Sequence, residues 1–239
     1  CAVLTADITL PIDTNWTPIG KDKDHMYNGT FDGDGHTITG LKVDIQSDNT
    51  IYAGLFGYIG EGGTIKNLSL ADSKITCSGN RVFAGGVCGR NYGTIENCYN
   101  TGDVSGTGTS SYGFVYAGGV CGWNTGTIEN CYNTGDVSGT SEYGFVYAGG
   151  VCGLNDYGTI ENCYNTGDVS GTSTDGSGYV GGVCGRNTGT IQNCYFLFGT
   201  TDNAVGNSTG TVNRVEEKSA EAFASGEVAW LLNEPQTEK

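Results

Sequence analysis

G-G-V-C-G-R-N-Y-G-T-I-E-N-C-Y-N-T-G-D-V-S-G, residues 85 to 106, returns almost letter for letter at residues 118 to 139 and again at 149 to 171. A shortened fourth copy runs from Gly181 to Gly199. Self-similarity at a period of tens of residues marks a repeat architecture, in which each unit buries its apolar positions only by stacking on a neighbour. One isoleucine measures the period: Ile65, Ile95, Ile128, Ile160 and Ile191 all stand in G-T-I-x-N, at steps of 30, 33, 32 and 31 residues. Extending the column back to Ile38 and Ile8 and forward to Val212 gives about eight rungs.

Within one unit, short apolar runs are separated by glycine and asparagine turns, as in G-L-F-G, then G-T-I-K-N-L-S-L, then S-K-I-T from Ala53 onward. Glycine interrupts nearly every run, which excludes helical repeats, since those need amphipathic segments of about ten residues or more. Three short strands per coil are what a three-sided parallel β-helix requires. Alternation along G-T-I-E-N-C-Y-N then turns Ile95 inward and Thr94 and Glu96 outward, with Asn97 at the bend and Cys98 inward where an earlier coil has Leu68. Asn67, Asn97, Asn130, Asn162 and Asn193 fall in one column, an expected asparagine ladder. Inserts at Thr107 to Ala117, Thr140 to Ala148 and Thr172 to Val180 are expected to project from, or extend, one edge. After residue 214 the composition changes to V-E-E-K-S-A-E-A-F-A-S-G-E-V-A-W-L-L-N, rich in helix formers. The expected organisation is therefore a β-helix over residues 1–214 and a helical cap with its tail over 215–239.

Composition agrees with a thin column rather than a bulky core: 37% of residues are apolar and 42 are glycine. Twenty-six acidic residues against eleven basic ones give a formal charge of −15, which argues against nucleic acid and anionic lipid as partners. There is no run of eighteen apolar residues and no basic-then-apolar leader at the start, so no membrane insertion is expected. The leader and anchor of an exported chain are expected to lie outside this stretch.

Three constellations carry candidate chemistry. Eight of the ten cysteines form two columns, Cys88, Cys121, Cys152 and Cys184, then Cys98, Cys131, Cys163 and Cys194. Leu68 at the second column's position favours a packing role as reduced thiols over disulfides, and the spacing lacks the C-x2-C or histidine partners of a zinc site. The carboxylates Asp103, Asp136 and Asp168 recur in T-G-D-V-S-G and are the calcium candidates, weighed against turn residues that satisfy main-chain amides. Tyr112, Phe114, Tyr116, Tyr143, Phe145, Tyr147 and Trp123 are the ligand-binding candidates, aromatic groups able to stack on sugars or grip a protein. No catalytic residue and no organic cofactor is assigned. Repeated carboxylates share one environment, whereas acid–base work needs two groups whose environments differ.

G-L-F-G-Y-I-G-E-G-G-T-I-K-N-L-S-L and G-G-V-C-G-R-N-Y-G-T-I-E-N-C-Y-N-T-G-D-V-S-G resemble the GLUG repeat of bacterial surface proteins. The resemblance covers roughly residues 2 to 233. It implies a right-handed β-helix at a bacterial cell surface, in adhesin-like proteins and beside immunoglobulin A protease domains, and it carries no shared catalytic residues. The expected role is a non-catalytic, monomeric adhesin-like or stalk module that meets host glycan or protein. The runner-up is a carbohydrate-active β-helix enzyme, a polysaccharide lyase or hydrolase, or its glycan-binding part.

Overall fold

A computed structural model describes residues 1–11, 14–110 and 113–233. Equivalent residues of successive repeats pair in parallel without slip: Thr94, Thr127, Thr159 and Thr190 share one column, and Ile95, Ile128, Ile160 and Ile191 the next. The isoleucine column continues to Ile65, Phe31 and Ala2 on one side and to Val212 on the other, so it is eight strands deep. The chain is thus an all-β parallel solenoid.

The first two rungs differ in register from the sequence reading. Ile38 pairs with Leu70 and Ile8 with Ile38, one strand further round the coil than the isoleucine column. The cause is local. In F-D-G-D-G-H the chain turns at Asp34 and Gly35, with φ of 50° and 79°, so Phe31 and not Ile38 precedes the bend. Later coils make the same bend with a single asparagine in the left-handed region, at Asn67, Asn97, Asn130, Asn162 and Asn193, φ 50–54°. Asparagine is among the few residues other than glycine that enter that region readily.

Three sheets wrap the column. One is six-stranded and built from Cys88–Asn91 and its copies Cys121–Asn124, Cys152–Asn155 and Cys184–Asn187, between Phe56–Ile59 and Val205–Ser208. A fourteen-stranded sheet holds the T-I-E and Y-N strands on either side of the asparagine bend. An eight-stranded sheet contains two long strands, Lys42–Ala53 and Lys74–Gly85. In the repeats that length is divided into Asp103–Gly108, paired with Lys74 to Gly79, and Phe114–Gly118, paired with Arg81 to Gly85. On both sides of that division the inserts continue the sheet.

The core is narrow. Ile65, Ile95, Ile128, Ile160 and Ile191 are fully buried, as are both cysteine columns. All ten thiols are unbonded. Cys98, Cys131, Cys163 and Cys194 donate to the carbonyls of Glu96, Glu129, Glu161 and Gln192 at 3.1–3.2 Å, and Cys88, Cys121, Cys152 and Cys184 to the carbonyl two residues on at 3.0–3.2 Å. A thiol at these corners supplies a small apolar volume together with a weak donor, which alanine or valine cannot do. Burial pushes the Cys77 thiol up to about 12 and holds Cys88, Cys98, Cys131, Cys152 and Cys163 well above the ordinary value.

Two buried asparagine ladders, absent from the sequence reading, tie the rungs together. Asn91, Asn124, Asn155 and Asn187 are fully buried; the first three donate to the next Oδ1 at 2.8 Å, and Asn187 donates to Ser208 Oγ at 3.3 Å. Asn100, Asn133 and Asn165 repeat the arrangement at 2.9 Å, with Ser73 donating to Asn100 Oδ1 at 2.6 Å. Each side chain also closes its own turn, as where Asn91 Oδ1 accepts from Gly93 N at 3.0 Å. The expected ladder at the αL bend is partly formed: Asn97 donates to Asn67 at 3.1 Å and Asn193 to Asn162 at 2.6 Å, while Asn130 turns to Glu129 at 3.4 Å.

Two helices follow the last strand, α1 (Ala220–Ala224), N-capped by Ser219, and α2 (Glu227–Asn233). The last strand runs to Lys218, so the first helix begins at Ala220 and the residues expected to open the cap extend that strand. The helices do not cover the end of the column, where Val212 stays 42% exposed. They lie on its flank: Ala222 and Val228 pack with fully buried Tyr195, and Phe223 tilts against Tyr164 at 5.7 Å. The outward tyrosine column supplies the apolar strip that their apolar residues need, which the end of the stack does not.

Candidate functional site

The features able to meet a ligand come from the outward faces of two sheets. On the eight-stranded sheet Ile51, Val82, Val115 and Val146 point into the core, so Tyr52, Phe83, Tyr116, Tyr147 and Tyr179 point out. In-register pairing sets these five rings in one stack, with centroids 4.9, 4.9, 5.2 and 5.4 Å apart and planes within 13°. Each such pair contributes about 0.5–1.5 kcal/mol beyond its area burial. On the six-stranded sheet the outward column reads Tyr58, Arg90, Trp123, Leu154 and Arg186.

The two columns meet in a re-entrant crease. Trp123 lies 5.0 Å from Tyr116 and 5.5 Å from Phe83, and Tyr58 meets Tyr52 edge-on at 5.2 Å. Main chains also touch there: a Cβ on Gly89 would stand 2.7 Å from Ala53 N and 2.8 Å from Phe83 O, so only glycine fits. Rings on both walls thus bury one another, leaving Phe83 fully covered and Tyr116 and Tyr147 each 5% exposed. Burial pushes the Tyr116 hydroxyl up to about 12 and raises that of Tyr58.

Of the aromatic candidates, Tyr116 and Tyr147 are therefore wall residues of this second apolar cluster, and Trp123 and Phe114 are half-buried at its margin. Phe145 and Tyr143 stay exposed at 38% and 46%, Phe145 stacking on Phe114 at 5.6 Å. Tyr112 lies outside the described residues.

Arginine threads the crease. The Arg90 guanidinium lies 4.4 Å from the Trp123 ring centroid, 5.0 Å from Tyr92, 5.5 Å from Tyr58 and 5.7 Å from Phe83, and it donates to the Tyr92 hydroxyl. Arg186 sits 5.9 Å from the Tyr147 ring and donates to its hydroxyl at 3.4 Å. Among the described residues neither forms an ion pair with a carboxylate, and Arg90 Nε, Arg186 Nε and Trp123 Nε1 are buried without a hydrogen-bond partner. Beside Arg90 opens a cleft of about 320 Å³ lined by Met26, Asn28, Tyr58, Glu61 and Tyr92. The Tyr58 and Tyr92 rings there stack at 5.5 Å and 6°. A second hollow of about 300 Å³ lies where α2 meets the flank at Tyr132 and Tyr164.

The aspartate column makes main-chain contacts. Asp103 Oδ1 accepts from Asp136 N at 3.1 Å, and Asp136 Oδ1 accepts from Asp168 N at 3.0 Å. The carboxylates thus bond amides as turn residues do, from one coil to the next rather than within a turn. Among the described residues no group of three histidine, cysteine, aspartate or glutamate side chains is arranged to hold a metal ion. The outward glutamates Glu96, Glu129 and Glu161 pair directly, flanked by Lys66 below and Gln192 above, which limits the like-charge run to three rungs.

The GLUG motif matches residues 84–105, 115–138, 146–170 and 176–198, so the chain carries four tandem copies of that repeat. Over 94 residues, 38% of this chain, it is 40% identical to a protein of Evansella cellulosilytica described as a candidate Gly-rich membrane protein. It is 38% identical over 113 residues, 43% of this chain, to halomucin of Haloquadratum walsbyi. The matched stretches amount to 10% and 1% of those two relatives' lengths. In structure it is similar to a Bacteroides ovatus protein described as a candidate immunoglobulin A1 protease, with a TM-score of 0.67 and 26% identity over 95% of this chain and 80% of that one. Among the described residues no helix is long and apolar enough to cross a membrane.

Proposed function

We propose that this chain is a non-catalytic, extracellular module of a bacterial surface protein, a stiff β-solenoid that displays a binding face as an adhesin-like or stalk segment. One observation carries the reading. The titratable side chains recur in register, as in Glu96, Glu129 and Glu161 or Asp103, Asp136 and Asp168, so each copy meets nearly the environment of the last. Acid–base catalysis depends on two groups held at different proton affinities, and such columns do not create the difference. The relatives, a protein described as a membrane protein and a halomucin, support a surface setting. The acidic charge of −15 suits an exposed, soluble rod that does not self-associate, and the module is proposed to act as a monomer.

The test is turnover. The chain, incubated with acidic and neutral polysaccharides and with immunoglobulin A1, is expected to release no unsaturated or reducing ends and no peptide fragments, while surface labelling of intact cells detects it outside. Product formation proportional to protein concentration, abolished by a single carboxylate substitution, would reject the proposal.

A further inference from the structure

We propose that the crease between the six- and eight-stranded sheets binds a carboxylated polysaccharide lying along the solenoid axis, with Arg90 and Arg186 taking its carboxylates. The proposal deepens the surface-module reading by naming a ligand class and a site. It begins from an imbalance. The chain holds 26 acidic residues against 11 basic ones, yet two arginines stand half-buried among rings with no acid within 4.0 Å among the described residues. A desolvated guanidinium gains from a ring face, and Arg90 and Arg186 each donate to one tyrosine hydroxyl, which leaves the rest of the fork without a charged acceptor among the described residues. The buried Nε atoms of both arginines and Nε1 of Trp123 lack acceptors. A carboxylate is the partner that a guanidinium fork matches best.

Geometry selects the polymer. Arg90 and Arg186 occupy one column three rungs apart, through Trp123 and Leu154. At 4.7–4.9 Å per strand that is about 14 Å along the axis. A linear chain bearing carboxylates at intervals can engage both, whereas a single small acid cannot. Between the two positive ends lies the part-exposed Trp123 ring, backed by buried Leu154, an apolar surface for the C–H faces of sugar rings. At the Arg90 end the cleft of about 320 Å³ offers the stacked Tyr58 and Tyr92, with Asn28 and Glu61 for hydroxyl groups. A carboxylated sugar chain suits the crease better than nucleic acid because it presents planar carboxylates to the guanidinium forks and C–H ring faces to the Trp123 ring.

Calorimetry on the whole chain tests this with three probes, oligogalacturonate, hyaluronan oligosaccharide and a sialylated oligosaccharide, each beside its methyl-esterified, uncharged form. At least one acidic probe is expected to bind, more weakly as salt rises, and esterification is expected to weaken it at least about tenfold, the low end for a charge-assisted hydrogen bond. Arg90→Gln and Arg186→Gln should each weaken it by a similar factor. Lys66→Gln, on the fourteen-stranded sheet, should leave affinity unchanged and so control for bulk charge. Melting curves and near-ultraviolet dichroism verify that each variant is folded. Absence of binding by all three probes would overturn the proposal, as would affinity indifferent to the arginines or to esterification, or equal binding of an Asp/Glu-rich peptide. Cleavage of a bound probe would reject the non-catalytic reading while leaving this site standing, so the two failures are distinguishable.

Discussion

Two asparagines six residues apart in the same coil should respond very differently to one substitution. Asn124 is fully buried: its amide donates to Asn155 Oδ1 at 2.8 Å, to Gly126 O at 3.1 Å and to Thr159 O at 3.3 Å, and its Oδ1 accepts from Asn91 at 2.8 Å. Asn124→Gly removes both ladder bonds and the turn bond, and strips Asn155 Oδ1 of the ladder donor. Each lost net bond costs about 0.5–1.5 kcal/mol and each stranded buried group about 1–3 kcal/mol, so the expected loss is about 3–5 kcal/mol. Asn130 is exposed, stands at φ 53° and makes one side-chain bond, to Glu129 at 3.4 Å. Glycine adopts that backbone conformation without steric cost, so Asn130→Gly should change stability by no more than about 0.5–1 kcal/mol. Urea unfolding followed by dichroism gives both numbers, and amide exchange shows whether loss at Asn124 is confined to neighbouring rungs, as the nearest-neighbour energetics of solenoids imply. Equal costs at the two sites, or a cost below about 1 kcal/mol at Asn124, would refute the assignment of the buried ladder as the inter-rung tie.

Other expectations follow from the same geometry. Ile128→Ala, in the middle of the fully buried isoleucine column, should cost about 2–5 kcal/mol in urea unfolding, because neighbouring rungs hold the cavity open. Stability should fall steeply above pH 9. Thiols raised by burial stay protonated in the folded chain while unfolded thiols ionise near pH 8.5, so stability is full below that pH and drains as pH climbs toward the folded values, about 12 for Cys77. Urea midpoints from pH 7 to 10.5 check this, and a flat profile would contradict buried thiols. At pH 8 a bulky disulfide reagent should modify exposed Cys1 alone while the chain is folded, and the nine buried thiols only on unfolding. Because the aspartate carboxylates already accept main-chain amides, millimolar calcium should leave the melting temperature unchanged relative to chelator. A rise of several degrees would make the column a cation site.

Periodicity carried the architecture a long way. Steps of 30 to 33 residues between isoleucines place Ile65 to Ile191 in one column, and the structure pairs them so, because insertions are absorbed at Gly108 to Phe114 without disturbing the T-I-E strand. The cysteine columns and the αL bend were legible for the same reason. Ile8 and Ile38 were misplaced because their coils bend through Asp34–Gly35 instead of asparagine, so the motif lacked its landmark. The buried ladders escaped because Asn91 and Asn100 read as turn residues, and nothing within one coil says that a turn side chain points inward. The signal was present, in that asparagine recurs at C-G-x-N and C-Y-N in every full copy. For the aromatic candidates, alternation along a strand does not reveal that two outward faces converge. Tyr116 and Tyr147 are hidden by that convergence, and Arg90 gains its rings from it. The helices' docking on Tyr164 and Tyr195 likewise depends on a strip assembled from several coils.

Distance per rung tests the central claim most directly. Asp32, Lys66, Glu96, Glu129, Glu161, Gln192 and Asn213 form one outward column, so spin labels introduced through a non-cysteine chemistry at position 213 and at 96, 66 or 32 are four, five or six rungs apart. At 4.7–4.9 Å per strand, pulsed electron resonance should return backbone separations of about 19, 24 and 29 Å, rising in equal steps with narrow distributions. Separations that ignore rung number, or that shorten as the labels move from 96 to 32, would contradict an in-register parallel stack.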